Sequence, residues 1–514
     1  MSLTQKSRAA AAGAAAGILF LGLAAVPAQA QAKGPSDRVA RFLQQAMNDA
    51  RFHEVLDLAP RGSVQAARLA NVEEKMARTP EAYARLFAAS APKPIVQQPQ
   101  LDVTVLELDR HGRPLASGTV LMSPQHPNGI AVPVDRDYRT TAVRWRQWDD
   151  KGWYANQGRG TIDIVPGREQ APIDFMSPYP ASVLKLMVGF GVLRLVDKGT
   201  IALTDTYDYR PTESNSLCRG NTSDTVGDYL EAALTTSDNP ATCALIKLLH
   251  DKGAVNELNQ TFQSLGLETL QLKNTNPATG GRWSNPVTMT SLDTAKLLVL
   301  INGLPGNAWN APDGTRVTSA VLSPASRQVF KNHLADQGWN DMLSTANRCG
   351  DPVPGIPHRV PPRWVGDDGT VTVAGNRFGR DVRPCEADAE VTFSHKTGWV
   401  GNSGADAGIV KSLPGKAGRH YIVVALTNLG TQYVDANRPP TEPGLFPVTF
   451  TQKLARLGKA VDDYQTATEA LTAVTVQPDD HAARMTVRPD EGTARQPGRT
   501  LIAMAAGAGR THRH

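Results

Sequence analysis

Pro180-Ala-Ser182-Val-Leu-Lys185-Leu-Met-Val-Gly-Phe-Gly-Val-Leu-Arg-Leu-Val196-Asp-Lys-Gly199 is the stretch that decides the fold. From Val183 to Val196 it is apolar almost all round, the pattern of a helix buried in a core rather than one laid on a surface. Pro180 and Gly199 are its start and stop signals. Ser182 therefore falls in the first turn of a buried helix. Unpaired N–H groups and the positive end of the helix dipole gather there and favour developing negative charge. Lys185 follows one turn later on the same face. A lysine in so apolar a segment needs partners, and burial or a second cation beside it lowers its pKa. Such a lysine can take a proton from a neighbouring hydroxyl. A helix-capping serine with a surface lysine is the plainer alternative, and it becomes harder to hold as the rest of the chain is read.

Two further short motifs follow in order. Thr236-Ser-Asp-Asn-Pro-Ala-Thr-Cys-Ala-Leu-Ile-Lys-Leu-Leu opens with Ser237-Asp238-Asn239 and runs into an apolar helix. Asp238 or Asn239 suits the N-cap of that helix, which would fix the loop. Ser237 would then offer a hydroxyl for proton relay, and Asn239 an amide for a substrate carbonyl. Val391-Thr-Phe-Ser-His-Lys-Thr-Gly-Trp-Val reads as a strand holding Lys396-Thr397-Gly398. Alternation sends Lys396 and Gly398 to one face, His395 and Thr397 to the other. Gly398 permits close backbone approach. His395 reads as a packed strand residue rather than a general base.

S-x-x-K, S-D-N and K-T-G, in that order, are the motif set of penicillin-recognising serine enzymes. On these residues the chain resembles the class A β-lactamase family, over a region that starts at Leu101 or Val143 and ends near Ala470. Asn285-Pro-Val-Thr-Met-Thr-Ser-Leu-Asp-Thr-Ala-Lys-Leu-Leu resembles the helix after that family's Ω-loop. Ala407-Gly-Ile-Val and Tyr421-Ile-Val-Val-Ala-Leu-Thr resemble its last two strands. The resemblance implies an α/β (α+β) fold of three layers, an antiparallel sheet with helices on both sides. It implies that Ser182 is the acylated nucleophile, Lys185 its base or base partner, and Ser237 the proton shuttle. Asn239 would bind the acyl amide, Lys396 support Ser237 electrostatically, and Thr397 meet a substrate carboxylate. The N–H groups of Ser182 and Trp399 would form the oxyanion hole, with Gly398 between. No cofactor or metal is implied.

The chain also departs from the family. Aligning Pro277 of Leu270-Gln-Leu-Lys-Asn-Thr-Asn-Pro-Ala-Thr-Gly to the family's Ω-loop proline puts Asn276 where a glutamate activates the deacylating water. An amide cannot take that proton. Acylation with slow deacylation is expected, unless Glu268 or another group serves. Tyr421 stands where many class A enzymes carry an arginine for the β-lactam carboxylate. Trp399 is bulky where the family has a small residue, which would narrow the site.

At 514 residues the chain has room for two parts and a large core. Lys6 and Arg8, an apolar Ala-rich run from Ala9 to Val26, and Pro27-Ala-Gln-Ala30 make a secretory signal over residues 1–30. Its removal takes away Lys6 and Arg8 and no acid, so the net charge falls from +5 to +3. That is too mild a balance for a nucleic-acid partner. No other segment is apolar enough for a membrane anchor. The protein is expected to be secreted or periplasmic, a monomer, with a small β-lactam, peptide or ester as its partner. Four cysteines in an exported chain favour disulfides. Proximity favours Cys218 with Cys243 and Cys349 with Cys385. Residues 31–91 read as a helical N-terminal region, with Val39, Phe42, Leu43 and Met47 on one stripe. Residues 92–100 read as a linker and residues 101–475 as the hydrolase domain, opening with a hairpin at Leu101. Val143 begins a further strand, read as a candidate first strand of the catalytic sheet. Residues 340–384, rich in Gly, Pro and Arg, read as a stapled insertion beside the K-T-G strand. Residues 476–514 read as a disordered tail.

The expected function is β-lactam hydrolysis through a Ser182 ester. The alternatives are a D,D-peptidase or esterase acting on cell-wall peptides or acylated metabolites, and a β-lactam binder without turnover.

Overall fold

The computed structural model describes residues 34–58, 92–160, 162–213, 217–283, 286–351, 353–437 and 451–476. The expected signal, most of the N-terminal helical region after residue 58, and the tail beyond residue 476 lie outside the described residues. The chain divides into two units, Met1–Glu469 and Ala470–His514. The account below concerns the first.

Helix α1 (Pro35–Asp49) comes first, followed by the hairpin β1 (Leu101–Leu108) and β2 (Pro114–Ser123), then β3 (His126–Ala131). Next are β4 (Val143–Arg146) and β5 (Ile173–Met176). The helices α2 (Lys185–Asp197), α3 (Val226–Thr235), α4 (Asn239–Asp251), α5 (Ala254–Ser264), α6 (Ser291–Asn302) and α7 (Pro324–Ala335) follow. The chain then returns through β6 (Val391–Val400), β7 (Ser403–Ser412) and β8 (His420–Thr427) to α8 (Thr451–Val476). Six strands form one sheet in the order β6-β7-β8-β1-β2-β3, and every neighbouring pair is antiparallel.

Alternation along β8 builds both cores at once. Ile422, Val424 and Leu426 face the core shared with α2 to α7. Tyr421, Val423 and Ala425 face a second core, which takes in Val39, Leu43 and Met47 of α1 and Leu454, Leu457 and Val461 of α8. Each large apolar side chain buried this way contributes about 1.5–3 kcal/mol. The result is a sheet between two helical layers, the architecture the motifs imply. The Val39-Leu43-Met47 stripe is packing against the sheet.

Two expectations change. The sheet starts at Leu101, because β4 pairs in parallel with β5 outside it. The apolar run after Ser182 begins as a separate 3-10 turn, Ala181–Leu184, before α2. Tyr421, the departure from the family's arginine, is buried on the α8 side with its hydroxyl on Asp462 (3.0 Å). Both cysteine pairings are present. Among the described residues no helix is long and apolar enough to cross a membrane.

Candidate active site

The elements deliver the motifs to one place. Ser182 lies half-buried on the 3-10 turn, and α2 begins at Lys185. The turn is held by Val183 N–H donating to the Pro180 carbonyl (3.1 Å). Ala181 just before the serine has φ of 47°, and Ser237 has φ of 61°. Side chains with a Cβ rarely adopt this left-handed conformation, and where they do the surroundings must enforce it. Around Ser237 the enforcement is visible. Asp238 N–H donates to the Ala232 carbonyl (3.0 Å), and the Asp238 side chain caps α4 by accepting from Ala241 N–H (2.6 Å). Asp238 is the cap, which leaves the Asn239 amide free to point elsewhere.

It points at Lys185. The Lys185 Nζ is fully buried and lies 2.8 Å from Asn239 Oδ1, 2.6 Å from the Ser237 carbonyl and 3.0 Å from Ser237 Oγ. Lys396 Nζ, also fully buried, lies 3.0 Å from the same Ser237 Oγ and donates to its own neighbour's carbonyl, Thr397 O (2.8 Å). One hydroxyl is therefore shared by two buried lysines. Burial holds the Lys185 pKa well below the ordinary lysine value, and the nearby Lys396 lowers it further. Burial brings Lys396 down to about 7, opposed by the charge of Asp406. Two ammonium groups this close and this dry repel, so the cluster favours one neutral amine beside one cation.

Gly398 closes the site from the other side. β6 is an edge strand, and its Gly398 backbone presses against the serine turn. A Cβ at Gly398 would lie 2.6 Å from Ser182 N, 2.8 Å from Val183 N and 2.9 Å from the Pro180 carbonyl. All three are backbone atoms that cannot swing aside. Gly398→Ala is expected to pry strand and turn apart and to cut the acylation rate by about 100-fold or more. Stopped-flow acylation of folded variant and parent checks it, and an unchanged rate would show that the close approach is dispensable.

The remaining candidates fall out unevenly. Trp399 is half-buried, and its ring meets Trp339 edge-on at 5.2 Å. Trp339 in turn donates from Nε1 to the Thr236 carbonyl (2.8 Å), beside Ser237. Thr397 is fully buried, and its hydroxyl has no partner among the described residues. Trp283, which the sequence did not single out, lies 5.8 Å from Lys185 Nζ and donates to the Gly280 carbonyl (2.7 Å).

Asn276 is occupied on both ends. Its Nδ2 donates to Glu213 Oε2 (2.9 Å) and its Oδ1 accepts from Ala278 N–H (2.9 Å). The turn it closes packs on α4 so tightly that a Cβ at Gly280 would sit 2.0 Å from the Cys243 carbonyl. Glu213, exposed beside Asn276, is a carboxylate that the motif alignment did not find. Glu268 is elsewhere. It pairs with Arg168 (3.5 Å) in a cavity of about 520 Å³ lined also by Asp293 and Lys296, with no residue of the Ser182 cluster in its wall. Glu268 is thereby engaged by Arg168 in a cavity that the motif residues do not line. Among the described residues no group of His, Cys, Asp and Glu is arranged to hold a metal ion.

The model of the beta-lactamase enzyme family matches residues 176–442, a span holding Ser182, Lys185, Ser237-Asp238-Asn239 and Lys396-Thr397-Gly398. The chain belongs to that family, and at the family's level it is a β-lactam-hydrolysing serine enzyme. No curated protein matches it. Among solved structures it is similar to PBP-A, with 18% identity over 77% of this chain and 97% of that one and a TM-score of 0.37. It is also similar to a beta-lactamase from Chitinophaga pinensis, with 19% identity over 56% and 85% of the two chains and a TM-score of 0.36. A beta-lactamase from Sphaerobacter thermophilus gives 17% identity over 72% and 92%, with a TM-score of 0.37. The family assignment rests on the matched span, not on these distant likenesses.

Proposed function

We propose that this is an exported, class A-like serine hydrolase that opens β-lactam amides through a Ser182 acyl-enzyme and releases the product slowly. The observation that carries the reading is the Ser237 hydroxyl held 3.0 Å from each of two buried lysine nitrogens. Lys185, kept neutral by burial, takes the Ser182 proton as Oγ attacks the carbonyl carbon. The proton then passes through Ser237 to the leaving nitrogen as the C–N bond breaks, and Lys396 supplies the positive charge that supports the relay. The N–H groups of Ser182 and Trp399 receive the oxyanion, and Asn239 the acyl amide. No cofactor is called for. The signal-like N-terminus and the two disulfides favour an oxidising, extracytoplasmic compartment.

Deacylation is the weak step. Asn276 is an amide, and its two ends are already engaged by Glu213 and Ala278. This favours, as a second reading, a D,D-peptidase or esterase, or a binder that keeps its acyl group. Intact-mass spectrometry after mixing with a penicillin, followed over time beside product release, separates them. The expected result is an adduct on Ser182 that decays with turnover slower than its formation. A permanent adduct would favour the binder or peptidase, and no adduct would overturn the β-lactam reading.

A further inference from the structure

His395 is buried in the K-T-G strand, on the face opposite Lys396, stacked on Phe393 at 4.0 Å. Its Nδ1 lies 2.8 Å from Asp406 Oδ1, and its Nε2 lies 2.9 Å from Asn340 Oδ1. The orientation of Asn340 is fixed independently of the histidine. Its Nδ2 is in reach of three acceptors: the carbonyls of Gln337 (3.0 Å) and Gly338 (3.2 Å), and Asn347 Oδ1 (3.2 Å). Asn347 is itself oriented by donating to the Gly338 carbonyl (2.7 Å). Turning Asn340 over would set an oxygen against all three. Its Oδ1 therefore faces His395, and Nε2 must be a donor. Nδ1 lies within hydrogen-bond distance of a carboxylate oxygen, where a bare ring lone pair would meet another lone pair, so Nδ1 is a donor as well.

Resting on the acyl-transfer reading above, we propose that His395 is a positioning residue: an imidazolium, protonated on both nitrogens, that neutralises Asp406 behind Lys396 and ties the K-T-G strand to the segment after α7. The tie is physical. Gln337 Nε2 donates to the Leu234 carbonyl (3.0 Å), just ahead of the S-D-N loop. Leu343 N–H donates to Asp406 Oδ2 (3.2 Å). One segment thus grips both motifs. The other charged or titratable groups around His395 do not replace it. Asp341 is pushed up to about 6 by burial, with Arg348 pulling the other way. His358, whose ring is 5.8 Å away, is brought down to about 3 by burial and stays neutral. Lys396 is the cation whose proton Asp406 helps to hold.

The electrostatic consequence has opposite signs for the two partners. Replacing His395 by Asn keeps an N–H for Asp406 but removes the positive charge. Asp406 is then uncompensated, so Lys396 keeps its proton to higher pH. Replacing Asp406 by Asn removes the anion and lets that proton go at lower pH. The alkaline limb of the acylation rate, read with a fluorescent penicillin, should move up in His395→Asn and down in Asp406→Asn, each by about one pH unit. Shifts in the same direction, or none, would reduce His395 to packing and overturn the proposal. A second measurement does not depend on acylation. In the full-length protein labelled with ¹⁵N-histidine, the His395 signal, assigned by its loss in His395→Asn, should report two protonated ring nitrogens near neutral pH. A neutral tautomer there would overturn the proposal even if the enzyme acylates normally. If the parent acylates with no donor tested, the acyl-transfer reading fails and the ¹⁵N result still decides the state of His395.

Discussion

Ser182→Ala is expected to abolish the penicillin adduct and to lower hydrolysis by about 10³-fold at the least, toward about 10⁶, as when a nucleophile acting with its base is removed. The loss should be chemical rather than structural. The 3-10 turn is held by its backbone, through Val183 N–H and the Pro180 carbonyl, and Gly398 packs on the serine's backbone nitrogen rather than on its hydroxyl. The side chain itself is only half-buried. Stability should therefore move by no more than about 0.5 kcal/mol, the ordinary range for a substitution that breaks no core contact. Intact mass and a denaturant titration, run on parent and variant together, separate the two effects. An adduct that persists in the alanine variant would move the nucleophile elsewhere, with Ser237 the next hydroxyl to test.

What could be read from the sequence is what short range dictates. Ser182 and Lys185 are one turn apart, Asp238 is a cap because a helix follows it, and Lys396 and Gly398 share a face because strands alternate. The partners across the fold could not be read this way. Trp283 and Trp339 reach the site through the Gly280 and Thr236 carbonyls, contacts set by loops whose paths carry no periodic signal. β4 alternates properly as a strand, yet alternation does not say which strand it joins, and it pairs with β5 outside the main sheet. The surroundings of Glu268 and Tyr421 were illegible for the same reason. Each was placed by counting along the chain, and the loop and strand directions send Glu268 to Arg168 and Tyr421 to Asp462. The contact between Asn276 and Glu213 spans a separation of 63 residues, which no local pattern encodes. The positive φ at Ala181 is likewise a tertiary constraint, and it accompanies a 3-10 turn where a continuous helix was expected.

Lys185→Met is expected to lower the acylation rate by about 10²–10⁴-fold, the usual worth of a positioned base, and to leave a separate mark on stability against pH. Lys185 and Lys396 both have folded-state pKa values below those of the unfolded chain, Lys185 well below and Lys396 at about 7. The unfolded chain therefore binds more protons than the folded one between those values and the ordinary lysine value near 10.4. Under that imbalance stability rises with pH across the window and is lost as pH falls through it. Each lysine contributes up to about 1.4 kcal/mol per pH unit to the slope. Methionine fills the same apolar volume without a titrating group. The variant should therefore lose one lysine's share, so that parent and variant differ in slope between about pH 7.5 and about pH 9.5. Its absolute stability is a poorer guide, because the Ser237 carbonyl and Asn239 Oδ1 lose their donor and offset the gain from removing a buried amine. Urea titrations at several pH values measure the slope directly. Parallel curves for parent and variant would mean that Lys185 is as protonated folded as unfolded, and a permanently charged Lys185 could not take the proton of Ser182.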